Sequence, residues 1–151
     1  MDTVLRLVAD GTLILVLVVS APIVMLWLRS DTWIKLPVLV MAGLTSLLIA
    51  KILSLVYQPA FARPFLELGV QPGAAYIDNP GFPSDHALLA TVAIIAVYIA
   101  TRNKRLLIIL ATLVILMSLG RVMALVHTPL DVIGGILAGI SGSIWYRKLT
   151  N

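Results

Sequence analysis

Residues 11–28 read GTLILVLVVSAPIVMLWL, eighteen positions without a charge. A helix rises about 1.5 Å per residue and the hydrocarbon core of a bilayer is about 30 Å thick, so a run of roughly 17–25 apolar residues spans it. The stretch is long for the apolar region of a cleaved signal, and it meets Arg29 without a small-residue cleavage pattern. It is therefore expected to be a retained membrane helix, preceded by Arg6 and Asp10.

Four more apolar segments follow, at about 36–57, 84–101, 106–123 and 129–146. The second carries one internal charge, Lys51. The last three reach spanning length only by including polar ends: Ser84, Asp85 and His86, then Arg121, then Asp131. Ionisable groups at such depth are expensive and default to a functional reading. Composition agrees with a bilayer as solvent. Sixty per cent of the 151 residues are hydrophobic and 12% are charged, against about 25% charged in a soluble domain, and mean hydropathy is +1.06. The expected fold is all-α: a single-domain integral membrane bundle of about five transmembrane helices over residues 1–151. The absence of cysteine excludes disulfides, zinc thiolates and a cysteine nucleophile. The net charge of +4 reads as membrane orientation, with no nucleic-acid partner.

Lysine and arginine counts orient the chain. Arg29, Lys35, Arg102, Lys104, Arg105, Arg147 and Lys148 fall on one side, and Arg6, Lys51, Arg63 and Arg121 on the other. The positive-inside rule places the first set in the cytoplasm. The N-terminus is then outside, the C-terminus cytoplasmic, and the chain a multi-pass protein of the plasma membrane. The connection 58–83 is extracytoplasmic and holds Pro59, Pro64, Pro72, Pro80 and Pro83, a density that favours ordered turns over helix. Phe61, Phe65, Leu66 and Leu68 suggest that part of it lies on the membrane surface. Trp27, Trp33 and Trp145 read as interfacial belt residues. Gly135 and Gly139 form a GxxxG pattern that could pack within the chain or between copies.

Four polar groups reach the outer face together. Arg63 follows the second helix, Ser84-Asp85-His86 opens the third, Arg121 closes the fourth, and His127-Thr128-Pro129-Leu130-Asp131 opens the fifth. Short turns make the last three helices neighbours. Ser84 suits an N-cap and directs the first N–H groups of its helix outward, where anions bind. Thr128 and Pro129 repeat the pattern as N-cap and first helical residue. Arg63 and Arg121 can hold phosphate oxygens in fork geometry. One imidazole can attack phosphorus and another can protonate the leaving oxygen. His127 and Asp131 are four apart, close enough for the carboxylate to fix the ring tautomer. The constellation reads as phosphoryl transfer on a membrane lipid phosphate, with His86 and His127 at its centre.

Arg63-Pro64, Pro83-Ser84-Asp85-His86, and Gly120-Arg121 followed by His127 and Asp131 resemble the signature of the type 2 phosphatidic-acid phosphatase (PAP2) superfamily, roughly KxxxxxxRP, PSGH and SRxxxxxHxxxD. The variants FPSDHA at 82–87 and Arg63-Pro64-Phe65, with the ending HTPLDVIGG at 127–135, resemble the bacterial undecaprenyl-diphosphate phosphatase branch. The resemblance covers about residues 51–140, the expected catalytic unit. It implies a PAP2-like helical fold and hydrolysis of undecaprenyl or another polyprenyl diphosphate to the monophosphate. His127 would form a phosphohistidine, Asp131 would orient it, and His86 would protonate the leaving group. Arg63, Arg121, Ser84, Lys51 and Asp85 would bind phosphate. The resemblance implies no cofactor and no metal. A glycerophospholipid phosphatase acting on phosphatidic acid or phosphatidylglycerol phosphate fits the same residues. An inactive binder or carrier of lipid phosphates is the alternative of another class.

The sequence departs from the family pattern at four points. Lys51 precedes Arg63 by twelve positions, more than in KxxxxxxRP, so a bulge or turn within 58–62 would be needed to bring the two together. Gly120 stands where the pattern has serine. Asp85 stands where it has glycine, as a charge favoured by the helix N-terminus or a ligand for a cation on a diphosphate. Five membrane helices are visible where the family usually has six.

Overall fold

The structure, a computed structural model, describes residues 3–57 and 63–149. Among the described residues it is helical, with no strand. Helix α1 runs Thr3–Leu28, widening into a π-helical turn over Leu7–Gly11 before continuing as regular helix from Thr12. It begins well before the apolar run, because Asp10 finds partners inside the protein and need not end the helix. Helix α2 spans Thr32–Val56. It too starts earlier than its apolar segment, with Lys35 reaching back to Asp31 at 3.3 Å. A short helix, α3, covers Pro64–Glu67. Helices α4, Asp85–Thr101, and α5, Lys104–Met123, are joined by a tight turn in which Arg102 is left-handed and the Asn103 side chain caps α5. Helix α6, Pro129–Ser141, passes into a 3-10 segment, Gly142–Leu149.

Three of these helices, α1, α2 and α5, are each long and apolar enough to cross a membrane, and α4 is a shorter apolar helix. The chain is an all-α membrane bundle, as the apolar runs predicted. Side chains are distributed oppositely to those of a soluble protein. Ala42, Ala50, Ala87, Ala90, Ala96 and Ala138 are buried, while Leu15, Leu26, Leu47, Ile108, Leu116 and Leu137 are exposed. Lipid tails are as apolar as leucine, so helices associate through close packing of small residues and leave large ones to the lipid.

Helix α4 is central and touches all four other long helices. Its approach to α6 is closest. A Cβ on Gly135 would lie 2.4 Å from the Ser84 carbonyl oxygen, and one on Gly139 would lie 2.7 Å from Thr91 Cβ. The GxxxG face thus packs within the chain. A backbone hydrogen bond from Ser84 N–H to the Asp131 carbonyl, 2.8 Å, ties the starts of the two helices together.

The described part of the connection between α2 and α4, residues 63–84, folds onto the bundle. Phe65 is buried among Ala9, Ala74, Ala124 and Val126, whereas Leu66 and Leu68 are exposed. Phe65 therefore packs into protein, contrary to the membrane-surface reading of its apolar character. Phe61 and the expected turn in 58–62 lie outside the described residues. The connection also clasps the turn between α5 and α6: Phe65 N–H donates to Leu125 O at 3.0 Å and Gly73 N–H to Ala124 O at 2.8 Å. Leu125 has φ +59°, an uncommon setting for a residue with a side chain, held here by these bonds. His127 follows two residues later.

Candidate active site

Each half of the site grows from a helix start. Thr128 caps α6 with its hydroxyl accepting from Asp131 N–H at 3.2 Å, and Asp131 Oδ2 accepts from Thr128 N–H at 2.7 Å. This reciprocal capping box fixes the carboxylate one turn above His127. The same Oδ2 lies 3.5 Å from His127 Nδ1, with both side chains buried. The carboxylate faces Nδ1, and Nε2 makes no hydrogen bond among the described residues. Burial pushes the His127 imidazole below its ordinary value; Asp131 opposes this, and Arg121 and Arg63 add to the lowering. A neutral ring with a free Nε2 is a nucleophile.

The second half is the first turn of α4. Ser84 is fully buried as N-cap, its hydroxyl facing Ala87 N–H at 3.5 Å. His86 points to the end of α5, where its Nε2 lies 3.4 Å from Arg121 Nη1. Arg121 is 1% exposed. A buried guanidinium needs a counter-charge, and Arg121 Nη1 finds one in Asp10 Oδ1 at 2.6 Å. Asp10 Oδ1 is also 4.0 Å from His86 Nε2, and Asp10 Oδ2 accepts from Ala75 N–H at 2.9 Å. Asp10 was not legible as a site residue, because it reads as the polar boundary of an apolar run. The only signal was a lone carboxylate just ahead of an apolar run.

Arg63 reaches the site from the connection between α2 and α4. Its Nη1 donates to Val126 O at 2.6 Å, and its Nη2 donates to Ile77 O at 2.8 Å and Asn79 Oδ1 at 2.6 Å. Three of its five N–H groups therefore organise the loop beside His127. Its Nε, like that of Arg121, is buried with no partner among the described residues. Orphaned guanidinium donors inside a protein are rare enough to need an explanation, and an anion supplies one.

The structure thus gathers His86, Arg121, Asp10, His127, Asp131, Ser84 and Arg63 at one end of the bundle. Lys51 and Asp85 lie apart from these contacts. They line a neighbouring cavity of about 130 Å³ with Leu47, Ser54, Asn79 and Phe82. Among the described residues no group of three His, Cys, Asp or Glu side chains is arranged to hold a metal ion.

The model of the family described as the PAP2 superfamily matches residues 31–151. No curated protein and no solved structure matches the chain. Members of the superfamily are phosphatases, and a membrane-embedded phosphatase of lipid-phosphate type agrees with a phosphate-competent cluster at the end of an apolar bundle. The matched region contains all of α2 to α6 and both histidine centres; on that extent, the chain belongs to the PAP2 superfamily.

Proposed function

We propose that the protein hydrolyses a polyprenyl diphosphate, undecaprenyl diphosphate in the first instance, to the monophosphate through a phosphohistidine at His127. The observation that carries the reading is the pairing at one end of the bundle of His127 beside Asp131 with His86 beside Arg121. His127 Nε2 attacks the terminal phosphorus. The phosphorus–nitrogen bond forms as the bond to the bridging oxygen breaks, and His86 gives that oxygen its proton. Water then attacks the phosphohistidine, His86 takes the water proton, and inorganic phosphate leaves with His127 restored. Asp131 steadies the imidazolium character that develops; its 3.5 Å contact is of the kind that tightens once substrate is bound.

Arg121 offers the phosphate its Nε and Nη2 donors, which have no hydrogen bond among the described residues. Arg63 offers its Nε, and Ser84 its hydroxyl. Lys51 and Asp85 line the adjoining cavity and serve the phosphate that remains on the lipid, Lys51 as counter-charge and Asp85 through a cation or a water. The diphosphate is named first because Arg63-Pro64-Phe65 and FPSDHA at 82–87 resemble the undecaprenyl-diphosphate phosphatase branch. The catalytic unit is about residues 51–140. The active site opens on the extracytoplasmic side of the plasma membrane, with the N-terminus outside and the C-terminus cytoplasmic, on the strength of the lysine and arginine asymmetry.

Phosphate release from undecaprenyl diphosphate, phosphatidic acid and phosphatidylglycerol phosphate, measured side by side on purified protein, tests this. Preference for the diphosphate is expected. Preference for a glycerophospholipid would transfer the assignment to that class, and binding without release from any of the three would leave a carrier. Since the chain lacks cysteine, single cysteines at Ser30 and Asp78 with an impermeant thiol reagent test sidedness. Labelling at Asp78 and protection at Ser30 in intact cells is expected, and the reverse pattern would invert the orientation.

A further inference from the structure

The first helix lies outside the matched region 31–151, yet its Asp10 makes the shortest charged contact in the site, 2.6 Å to Arg121 Nη1. Two features deliver it there. The π-helical turn Leu7–Gly11 carries Asp10. Gly120 lets α1 come close: a Cβ there would lie 3.1 Å from the Ala9 backbone nitrogen. Gly120 occupies the position of the superfamily pattern's serine, and its missing side chain leaves room for the turn that carries Asp10. Asp10 is anchored from its other oxygen as well, by Ala75 N–H at 2.9 Å. It is a fixture and not a loose placeholder.

The donors of Arg121 define what the fixture does. Nη1 faces Asp10 Oδ1 and His86 Nε2. Nη2 makes no hydrogen bond among the described residues, and Nε is buried without one. Nε–H and the adjacent Nη2–H are the parallel pair that grips two oxygens of one phosphate. With Nη1 occupied, this edge is the part of the guanidinium left for an anion. We infer that Asp10 is a positioning residue of the phosphate site: it holds Arg121 by Nη1 so that the Nε–Nη2 edge faces phosphate, and it keeps the guanidinium against His86. The inference rests on the phosphatase reading for its ligand, a phosphate group.

The test uses the full chain in detergent. KM and kcat for the lipid phosphate are measured together with the inhibition constant for inorganic phosphate, in wild type, Asp10→Asn, Asp10→Glu and Arg121→Gln. Asp10→Asn is expected to raise KM and the phosphate inhibition constant together by about tenfold, the scale of one charge-assisted hydrogen bond. Asp10→Glu is expected to recover part of that loss. Adding Asp10→Asn to Arg121→Gln is expected to do no further harm, since the first acts through the second. Unchanged constants with only a lower unfolding temperature would reduce Asp10 to a structural role. A tighter phosphate constant in Asp10→Asn would make it a competitor of substrate, and additive losses would break the link to Arg121; each of these overturns the inference. Where Asp10→Asn does not fold, Asp10→Glu and the cycle built from it decide. Direct phosphate titration by isothermal calorimetry separates the two readings. Wild-type turnover with Asp10-independent phosphate affinity sinks only the Asp10 inference, and Asp10-dependent phosphate affinity without turnover sinks only the hydrolytic one.

Discussion

Asp131 faces His127 with the same carboxylate oxygen that caps its own helix: Oδ2 is 2.7 Å from Thr128 N and 3.5 Å from His127 Nδ1. The position of the carboxylate beside the imidazole is thus set by the start of α6. His127→Ala is expected to lower turnover by on the order of 10⁶-fold, as loss of a nucleophile does in comparable hydrolases. Acid-quenched protein labelled from ³²P-substrate should lose its bound radioactivity in parallel. Persistent label in the variant would move the nucleophile elsewhere.

Arg121 has a fork to offer and lysine does not. Arg121→Lys keeps the charge beside Asp10 but removes the paired donors. A fall in kcat/KM of roughly 10²-fold is expected, the range for a preorganised donor in a dry site. Steady-state kinetics at fixed detergent-to-lipid ratio measures it, and a loss below about threefold would show that charge alone suffices there.

The burial that lowers His127 has two pH consequences. For activity, the ring stays neutral to a pH below its ordinary 6.5, so the acidic limb of the rate profile is expected below that value. For stability, the unfolded chain takes up the His127 proton at higher pH than the folded one, so stability falls as pH drops below 6.5 toward the folded value. Denaturation in mild detergent should show this slope in wild type and a shallower one in His127→Asn. An equal slope in both would assign it to other groups.

Gly135 tests the seam between the two helix starts. Gly135→Ala puts a methyl 2.4 Å from the Ser84 carbonyl oxygen, and backbone on both sides cannot yield cheaply. Overpacking of this kind costs about 1–3 kcal/mol, and the shift separates His86 from His127. Lower thermal stability and lower activity are expected together. Gly43, with nothing within 4 Å of an added Cβ, is the control: Gly43→Ala should leave both at or above wild type.

Chelation supplies the last test. Excess EDTA is expected to leave phosphate release largely intact, because imidazole and guanidinium groups carry the proposed steps. A strict divalent-ion requirement, restored by adding back the ion, would count against that route and draw attention to Asp85.

The bundle was legible because lipid demands long apolar runs: three of the five segments read from the sequence fall on helices long and apolar enough to span, and a fourth on a shorter apolar helix. Helix ends were less legible. Asp10 and Lys35 look like boundaries to a hydropathy reading, yet α1 and α2 continue through them because each charge has a partner, Arg121 and Asp31 respectively. The cluster around His86, Arg121, His127 and Asp131 was readable from short spacings at helix starts and ends. Asp10 was not, since it meets Arg121 across 111 positions of sequence and no local pattern encodes that meeting. The roles of Arg63 were only half visible: its Arg-Pro setting suggested phosphate, but its three bonds to loop acceptors depend on how 77–79 folds back.

The wide turn at Leu7–Gly11 divides α1 into two angular registers. One additional residue in a helix rotates everything beyond it by about 100°. From Thr12 onward the rotation is set by packing, with Val16 locked among Ala90, Ile94 and Leu110. Ahead of it, the rotation is set by the aim of Asp10. The segment in the membrane can therefore drift in sequence without disturbing the carboxylate. A single-residue deletion in the turn would swing Asp10 away from Arg121 while the anchor stayed seated. A helix that looks like a plain membrane tether thus carries, at one end, an independently aimed carboxylate.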